Sequence, residues 1–293
     1  MTTVGVVGLG DMGIGMAGNL AKSGFTVLGH DLRDSRLDLL EELGGERADG
    51  PADIGARSDI AFVMVMNGAQ AMDVITQLKS TMAPGKAIAI TATIKPNDVR
   101  DLERALEGTG IDLIDSPVSG GKAGADNGTL TLMLAAKAEV LERNRPALEA
   151  ISGKIFHVGE EIGQGQTVKA SLQAVFGAYF GGIFEGLVLG SKAGVSGQVL
   201  HDVFTHSALA SPMLANCTKL IMDRKFEGTG SHIGTMYKDL GITMGLAREV
   251  GAAMFTTSAA YELFQTGKAM YPDGDNWTIV RVLEQIADTE VKW

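Results

Sequence analysis

Apolar positions in the first half of the chain form short continuous runs, which are typical of strands buried on both faces of a sheet. The runs lie at residues 3–8, 25–31, 60–66, 86–93, 111–118, 129–135 and 154–159. Helix-like stretches lie among the earlier runs, at residues 13–23, 35–43, 69–80 and 96–108. Strands that alternate with helices through short glycine-rich turns predict an α/β fold with a doubly wound, mainly parallel sheet.

The second half of the chain shows only helical spacing. We predict one long helix over residues 166–193, and shorter helices follow at residues 196–206, 211–223, 232–251, 255–268 and 277–287. The glycine-rich segment 159–166 joins the two halves. We therefore predict an α/β domain at 1–163 and an all-α domain for substrate binding and oligomerisation at 164–293.

The stretch 172–190 is apolar enough to raise the question of a membrane span, because its only charged residue is Glu185. Gln173 and Glu185 are costly in lipid, and the helical pattern continues past this stretch to Lys169 and Lys192. We therefore predict a helix covered by protein and not a membrane partner. Its extensive apolar surface favours a homodimer or homotetramer that packs through the helical half.

Composition excludes several classes of partner. The net charge is −10 and no lysine or arginine cluster occurs, which argues against nucleic acid. The single cysteine, Cys217, cannot form an intrachain disulfide, and no basic leader precedes the first strand, so we expect a cytoplasmic protein. We also expect no metal site, because no His, Cys and Asp cluster has the spacing of metal ligands.

A glycine-rich turn follows the first predicted strand. Gly8, Gly10 and Gly13 form a G-x-G-x-x-G pattern at the start of a helix. The first glycine permits a tight turn, the second lets the backbone approach a pyrophosphate, and the third lets the helix pack on the strand. The pattern predicts a Rossmann-type dinucleotide-binding domain. The predicted cofactor-binding residues of this loop are Gly8, Leu9, Gly10, Asp11, Met12 and Gly13.

Asp31 ends the second predicted strand, where an acidic side chain can accept hydrogen bonds from both ribose hydroxyls of NAD. Because a carboxylate repels a 2′-phosphate, we expect NAD, with NADP less favoured. Arg33, two residues later, could instead accommodate that phosphate. A second interpretation of Asp31 is that it caps a turn before the next helix.

Two further segments carry candidate chemistry. Ser119, Gly120 and Gly121 offer a hydroxyl and open backbone N–H groups, which suit a carboxylate but also fit a plain turn. Lys169 and Gln173 lie four residues apart and so share a helix face. A desolvated lysine can act as a general acid or base, although a first-turn lysine can also simply extend its amine to water.

Four segments of the chain carry a resemblance to a known family: "GLGDMGIGMAGNLAKSG" (8–24), "DSPVSGGKAGADNGTLTLML" (115–134), "GQGQTVK" (163–169) and "YKDLGI" (237–242). In these segments and in their order, the chain as a whole resembles the β-hydroxyacid dehydrogenase family. The resemblance implies that Lys169 is the catalytic lysine and that Ser119, Gly120 and Gly121 bind the substrate carboxylate. It also implies four further cofactor contacts, at Met66, Asn67, Thr93 and Lys238.

Gln173 departs from most of the family, which has asparagine at this position. A glutamine at this position resembles the L-threonate dehydrogenase branch of the family, although Leu172 stands where that branch has a histidine. Glutamine keeps the amide donor and acceptor and adds a methylene, so the pocket or the bound substrate should differ. We expect Gln173 to hold a substrate oxygen.

The predicted function is transfer of a hydride between NAD and a small hydroxy acid, with Lys169 as general acid and base. The substrate would be of the 3-hydroxyisobutyrate, threonate or tartronate-semialdehyde type. Two alternatives stay open. An imine reductase could share this scaffold, although Lys169 argues against it. The second alternative is a non-catalytic NAD-binding protein, although Lys169 and the predicted carboxylate-binding loop argue against it.

Overall fold

The computed structural model describes residues 2–293, which form two compact units. The first unit ends at Lys169 and the second is Ala170–Trp293, so the division falls within one long helix. The first unit is α/β and the second is entirely helical apart from one isolated bridge.

A single nine-stranded sheet forms the centre of the first unit, in the order β3-β2-β1-β4-β5-β6-β8-β7 with β9 beside β8. Strands β1 to β6 are parallel, whereas β8 runs antiparallel to β6 and β7 and parallel to β9. The strands are β1 Thr3–Val7, β2 Thr26–His30, β3 Glu46–Arg47, β4 Ile60–Val63, β5 Ala87–Ile90, β6 Asp112–Asp115, β7 Val118–Ser119, β8 Leu130–Ala135 and β9 Ser152–Gly159.

All seven predicted strands are present, and the structure adds the two-residue strands β3 and β7. Helices connect the strands: α1 Asp11–Lys22, α2 Asp34–Glu42, α3 Pro51–Arg57, α4 Gly68–Leu78, α5 Pro96–Leu106, α6 Gly121–Asn127 and α7 Ala138–Ala150. The sequence analysis missed α3, α6 and α7. The first two have seven residues each, which is too short for a clear apolar period. Helix α7 contains Pro146 in its interior, where proline usually argues against a helix, yet the helix continues through it.

The central strands of the sheet are buried on both faces, as their continuous apolar runs predict. Strand β9 is the exception, since most of its residues are exposed or half-buried and Phe156 is 50% exposed. Val4 and Val6 of β1 belong to one core cluster, whereas Val7 belongs to the cluster on the other face. This division follows from the two-residue period of a strand, which sends successive side chains to opposite faces. The strand order reverses direction between β1 and β4, which places the ligand crevice of such a sheet outside the carboxyl ends of these strands.

Helix α8, Gln164–Lys192, is the long helix expected from the sequence. Within residues 2–293 it alone has the length and hydropathy of a membrane span, and 39% of its most apolar window is buried. One such helix is weak evidence for a membrane, since core helices have the same composition. We still predict that this helix is covered by protein and not by lipid.

Five further helices and a short 3-10 helix complete the second unit. They are α9 Gly197–His206, α10 Pro212–Met222, α11 Ile233–Val250, α12 Phe255–Met270, the 3-10 helix Asn276–Ile279 and α13 Val280–Ala287. Their core contains the fully buried aromatic side chains of Phe184 and Phe264, together with Trp277, which is 5% exposed. Stacked rings of Phe176, Phe180 and Phe184 follow one side of α8.

Candidate active site

The glycine-rich turn after β1 can be formed only by glycine at two of its positions. Gly8 has φ +92°, and a Cβ there would overlap the carbonyl oxygen of Met64. A Cβ on Gly13 would overlap the carbonyl oxygen of Gly8 itself. The turn therefore brings the start of α1 directly against the ends of β1 and β4, as a dinucleotide-binding turn requires.

The N-terminus of α1 is open to a ligand. Its N-cap is Gly10, which offers no side chain to cap the first N–H groups. A Cβ on Gly10 would meet only the guanidinium of Arg33, at 3.9 Å. Asp11, in the first turn, accepts a hydrogen bond from Arg36 at 2.9 Å. Uncapped N–H groups at a helix N-terminus suit a pyrophosphate, so this loop fits the cofactor predicted for it.

Asp31 is bound directly to this loop. Its Oδ2 accepts the Leu9 N–H (2.8 Å), and its Oδ1 accepts the backbone N–H and the Nε–H of Arg33 (both 3.0 Å). Burial by itself raises the pKa of Asp31, but the bonds from Arg33 and Leu9 outweigh it and hold the pKa below its usual value. The carboxylate thus stabilises a local turn, as the second interpretation expects. It also lies at the end of β2, where the first interpretation requires it, and its contact with a ribose stays a prediction.

The loop after β4 is held by reciprocal capping. The Asn67 side chain accepts the Gln70 N–H (2.9 Å), and the Gln70 side chain accepts the Met66 N–H (2.9 Å). Met66 is left 56% exposed. Both predicted contact residues, Met66 and Asn67, therefore lie at the carboxyl edge of the sheet, beside the glycine-rich turn.

The segment after β5 contains Thr93 and is clamped by a residue that the sequence analysis missed. The amide of Gln166 donates from Nε2 to the Ala92 carbonyl (3.0 Å) and accepts the Ile94 N–H at Oε1 (3.1 Å). Gln166, Ala92 and Ile94 are each 1% exposed, whereas Thr93 between the last two is half-buried. The clamp fixes the backbone on both sides of Thr93.

Asp115, at the end of β6, holds the first turn of α8. Its Oδ2 accepts the N–H groups of Gly163 (2.8 Å) and Gln166 (3.3 Å). Complete burial raises the pKa of Asp115 to about 6, against the lowering effect of these backbone hydrogen bonds. Gly165 lets this turn lie close to the sheet, since a Cβ there would be 2.6 Å from the Met133 carbonyl oxygen.

Lys169 follows on the same helix and is 6% exposed. It lies three residues after Gln166, so the two side chains leave neighbouring positions on the helix surface. The helix turn that Asp115 and Gln166 bind to the carboxyl edge of the sheet is therefore the turn that leads into Lys169.

The predicted carboxylate-binding loop joins β7 to α6. Gly120 and Gly121 have φ +130° and +59°, which favours glycine at both positions, and a Cβ on Gly121 would meet nothing within 4 Å. Ser119 is half-buried at the end of β7. The loop thus presents a hydroxyl and open backbone.

Helices α1 and α6 tie this loop to the glycine-rich turn. A Cβ on Gly15 of α1 would be 2.7 Å from the backbone of Ala125 in α6. The Asn19 amide donates to the carbonyl oxygens of Ala125 (2.7 Å) and Asp126 (3.2 Å). The two predicted binding loops of the first unit therefore share one helix–helix contact.

Two further predicted residues, Gln173 and Lys238, meet at a third residue in the second unit. The Gln173 amide donates to Asp239 Oδ2 (2.6 Å), and Lys238 Nζ lies 2.9 Å from Asp239 Oδ1. Gln173 and Asp239 are 6% and 4% exposed. Asp239 was not singled out from the sequence, although it follows Lys238 in the segment that carried the family likeness.

The described residues, 2–293, contain no group of three His, Cys, Asp or Glu side chains that could hold a metal ion. Burial raises the pKa of the Cys217 thiol to about 12, so this cysteine is an unreactive core residue.

The strand order, the glycine-rich turn and the acidic residue after β2 define a dinucleotide-binding protein with a helical second unit. The family described as the NAD-binding domain of 6-phosphogluconate dehydrogenase matches residues 3–159. The family described as NAD-binding of NADP-dependent 3-hydroxyisobutyrate dehydrogenase matches residues 163–283.

Curated relatives match almost the whole chain. An L-threonate dehydrogenase of Cupriavidus necator is 32% identical over 97% of this chain and 96% of that protein. A 2-(hydroxymethyl)glutarate dehydrogenase of Eubacterium barkeri is 31% identical over 98% of this chain and 97% of that protein. The chain belongs to the β-hydroxyacid dehydrogenase family and is an NAD(P)-dependent oxidoreductase, which confirms the predicted family and enzyme class.

Solved structures agree. A 3-hydroxyisobutyrate dehydrogenase of Salmonella typhimurium superimposes with a TM-score of 0.88 at 27% identity, covering 96% of this chain and all of that chain. An imine reductase of Myxococcus stipitatus has a TM-score of 0.66 at 20% identity, over 97% of this chain and all of that chain. The second likeness shows the fold alone, and the first confirms the predicted fold class.

Proposed function

We propose that the protein oxidises a small polyhydroxylated acid of the threonate type with NAD, and that Lys169 moves the hydroxyl proton. The observation that carries this proposal is the position of Lys169. It is buried on α8, directly after the turn that Asp115 and Gln166 bind to the carboxyl edge of the sheet. Parallel α/β sheets bind their ligands at this edge.

The residues at this edge suit a nicotinamide dinucleotide. The open N-terminus of α1 would hold the pyrophosphate, and Met66, Asn67 and Thr93 would line the remainder of the cofactor. When bound, the nicotinamide supplies a two-electron acceptor that takes the hydride from the substrate carbon.

Asp31 supports NAD over NADP. Its pKa is held below the usual value, so it is a carboxylate at neutral pH and would repel a 2′-phosphate. The guanidinium of Arg33 is engaged by this carboxylate, with Nε 3.0 Å from Oδ1. An arginine already paired with Asp31 is less able to compensate a phosphate.

The loop Ser119–Gly121 would bind the substrate carboxylate. The Ser119 hydroxyl can donate one hydrogen bond, and the two glycines are exposed and carry no side chain of their own. Anchoring the carboxylate fixes which carbon of the acid faces the cofactor. The Lys169 amine then accepts the hydroxyl proton during oxidation and returns it during reduction.

The orientation of Gln173 supports a substrate rich in hydroxyl groups. Its amide nitrogen must face Asp239, because a carboxylate accepts hydrogen bonds and cannot donate them. The group that Gln173 retains for a substrate is therefore its carbonyl oxygen, which accepts a hydrogen bond. A hydroxyl satisfies that acceptor, whereas the methyl group of 3-hydroxyisobutyrate does not. The relatives named L-threonate dehydrogenase agree with this choice.

The test is steady-state kinetics with hydroxy acids of three to six carbons, including threonate, glycerate and 3-hydroxyisobutyrate, each with NAD and with NADP. We expect the highest kcat/KM with threonate and NAD. Lys169→Ala should lower kcat by about 10²- to 10⁴-fold, the usual contribution of a general acid–base, and should leave the Kd for NAD within a few-fold.

Lys192→Ala is the matched control, because Lys192 is exposed at the far end of the same helix. It should keep the kinetics of the unmodified enzyme. Equal turnover by the Lys169→Ala variant would refute the catalytic assignment, and a preference for NADP would refute the argument from Asp31.

A further inference from the structure

One buried side chain connects the segment around Thr93 to the helix that carries Lys169. Gln166 uses both ends of its amide, donating to the Ala92 carbonyl at 3.0 Å and accepting the Ile94 N–H at 3.1 Å. All three residues are 1% exposed, so water cannot replace either bond. Thr93 lies between the two bonded peptide groups.

The backbone of Gln166 is fixed as well. Its N–H donates to Asp115 Oδ2 at 3.3 Å, beside the shorter bond from Gly163 at 2.8 Å. Gln166 is thus held to β6 through its backbone and to the segment after β5 through its side chain. Lys169 is three residues further along and on the same side of α8.

We propose that Gln166 is a positioning residue that sets the distance and orientation between Thr93 and Lys169. This inference rests on the proposed function, which places Thr93 at the cofactor and gives Lys169 the proton transfer. Gln166 itself contacts neither substrate nor cofactor and acts through the peptide groups of Ala92 and Ile94.

Removal of the amide has a defined physical consequence. The Ala92 carbonyl and the Ile94 N–H would both be buried without a partner, and the segment would move until water or another group satisfies them. A displacement on the order of 1 Å at a reacting centre lowers turnover by about 10²-fold. Substrate binding at Ser119–Gly121 would be retained, because that loop follows a different strand.

The experiment compares Gln166→Met with a matched loss of a buried amide elsewhere in the first unit. Methionine keeps the length of glutamine and removes both hydrogen bonds. The control is Asn144→Leu, since Asn144 is 8% exposed on α7 and donates to the Val140 carbonyl at 2.8 Å. Readouts are kcat and KM with threonate and NAD, and hydrogen–deuterium exchange of the Ile94 amide without cofactor.

We expect Gln166→Met to lower kcat at least 10-fold with KM within about 3-fold, and to accelerate exchange of the Ile94 amide at least 10-fold. Asn144→Leu should change neither kcat nor the exchange of the Ile94 amide, even where it lowers Tm as much as Gln166→Met does. A kcat within 2-fold of the control, or an Ile94 amide that stays protected, would overturn the inference.

A second variant serves if Gln166→Met does not fold. Gln166→Leu also removes both hydrogen bonds and adds no ionisable group. It should lower kcat at least 10-fold with little change in KM, and unchanged kcat would count against the proposal. If the unmodified enzyme turns over no hydroxy acid, the proposed function fails, and exchange of the Ile94 amide still tests the clamp separately.

Discussion

Asp115 illustrates how a single buried residue can serve a site at a cost to stability. Its carboxylate accepts two N–H groups at the start of α8, yet its Oδ1 is buried without a hydrogen-bond partner in the part of the chain that the structure describes. Burial raises its pKa to about 6 despite the two backbone bonds. Ionisation of Asp115 is therefore less favourable in the folded protein than in an unfolded chain.

The consequence is a pH-dependent stability that Asp115→Asn should remove. An unfolded chain releases this proton near pH 3.8, whereas the folded chain retains it up to about pH 6. Between these values the folded state binds more protons, so the contribution of Asp115 to the free energy of unfolding falls as pH rises. From pH 4 to pH 7, the free energy of unfolding of the Asp115→Asn variant should rise by up to about 3 kcal/mol relative to that of the unmodified protein.

Urea unfolding at pH 4.5, 5.5 and 7.5 measures this difference. Asp112→Asn, on the same strand, controls for the loss of one negative charge; Asp112 is half-buried and paired with Arg143. Parallel pH profiles of Asp115→Asn and the unmodified protein would contradict the effect.

At the level of elements, the α1–α6 contact joins the glycine-rich turn to the predicted carboxylate-binding loop. Gly15 provides the close approach, and Asn19 bonds to carbonyl groups at the C-terminal end of α6. Such an approach leaves no room for a side chain, so the spacing of the two loops depends on a residue that touches neither ligand.

Gly15→Ala should separate these helices. Its Cβ would be 2.7 Å from the Ala125 backbone, and overpacking of this kind costs about 1–3 kcal/mol. We expect a lower Tm and a higher KM for the hydroxy acid. Gly245→Ala on α11 is the control, because a Cβ there meets nothing within 4 Å and alanine favours a helix. A Tm that does not fall for Gly15→Ala would refute this packing argument.

At the level of the whole molecule, the second unit leaves large apolar side chains uncovered. Val175 and Leu189 lie about four turns apart on one side of α8 and are 65% and 72% exposed, and Val203 of α9 is 59% exposed. Apolar surface of this kind commonly marks a contact between protein chains. The helical unit is therefore still predicted to form a homodimer or homotetramer.

Light scattering tests this prediction. We expect a mass of at least twice the 30.7 kDa of one chain at micromolar concentration. The double variant Val175→Glu, Leu189→Glu should lower that mass, because burying two carboxylates in an apolar interface is unfavourable. Val250→Glu replaces another exposed apolar residue, on α11, and should not lower it. A single-chain mass for the unmodified protein would contradict the prediction.

The sequence determined the elements and the chemistry that depend on local pattern. Continuous apolar runs located seven strands, and the glycine spacing located the turn before α1. The long apolar pattern located α8. These features are readable because each depends on the period of one segment or on a backbone conformation that only glycine adopts easily. The segments around Ser119 and Lys169 were specific enough to give the family as well.

Only the tertiary structure revealed the contacts that hold those residues in place. Gln166 is 72 residues from Ile94, and Asp115 is 48 residues from Gly163. The hydrogen bond between Gln173 and Asp239 is likewise visible only in the tertiary structure. A glutamine or aspartate has no periodic signature, and its function depends on which distant backbone groups the fold leaves without a partner. The sequence thus indicated the candidate residues for the chemistry, and the packing of β5, β6 and α8 decided where Lys169 lies.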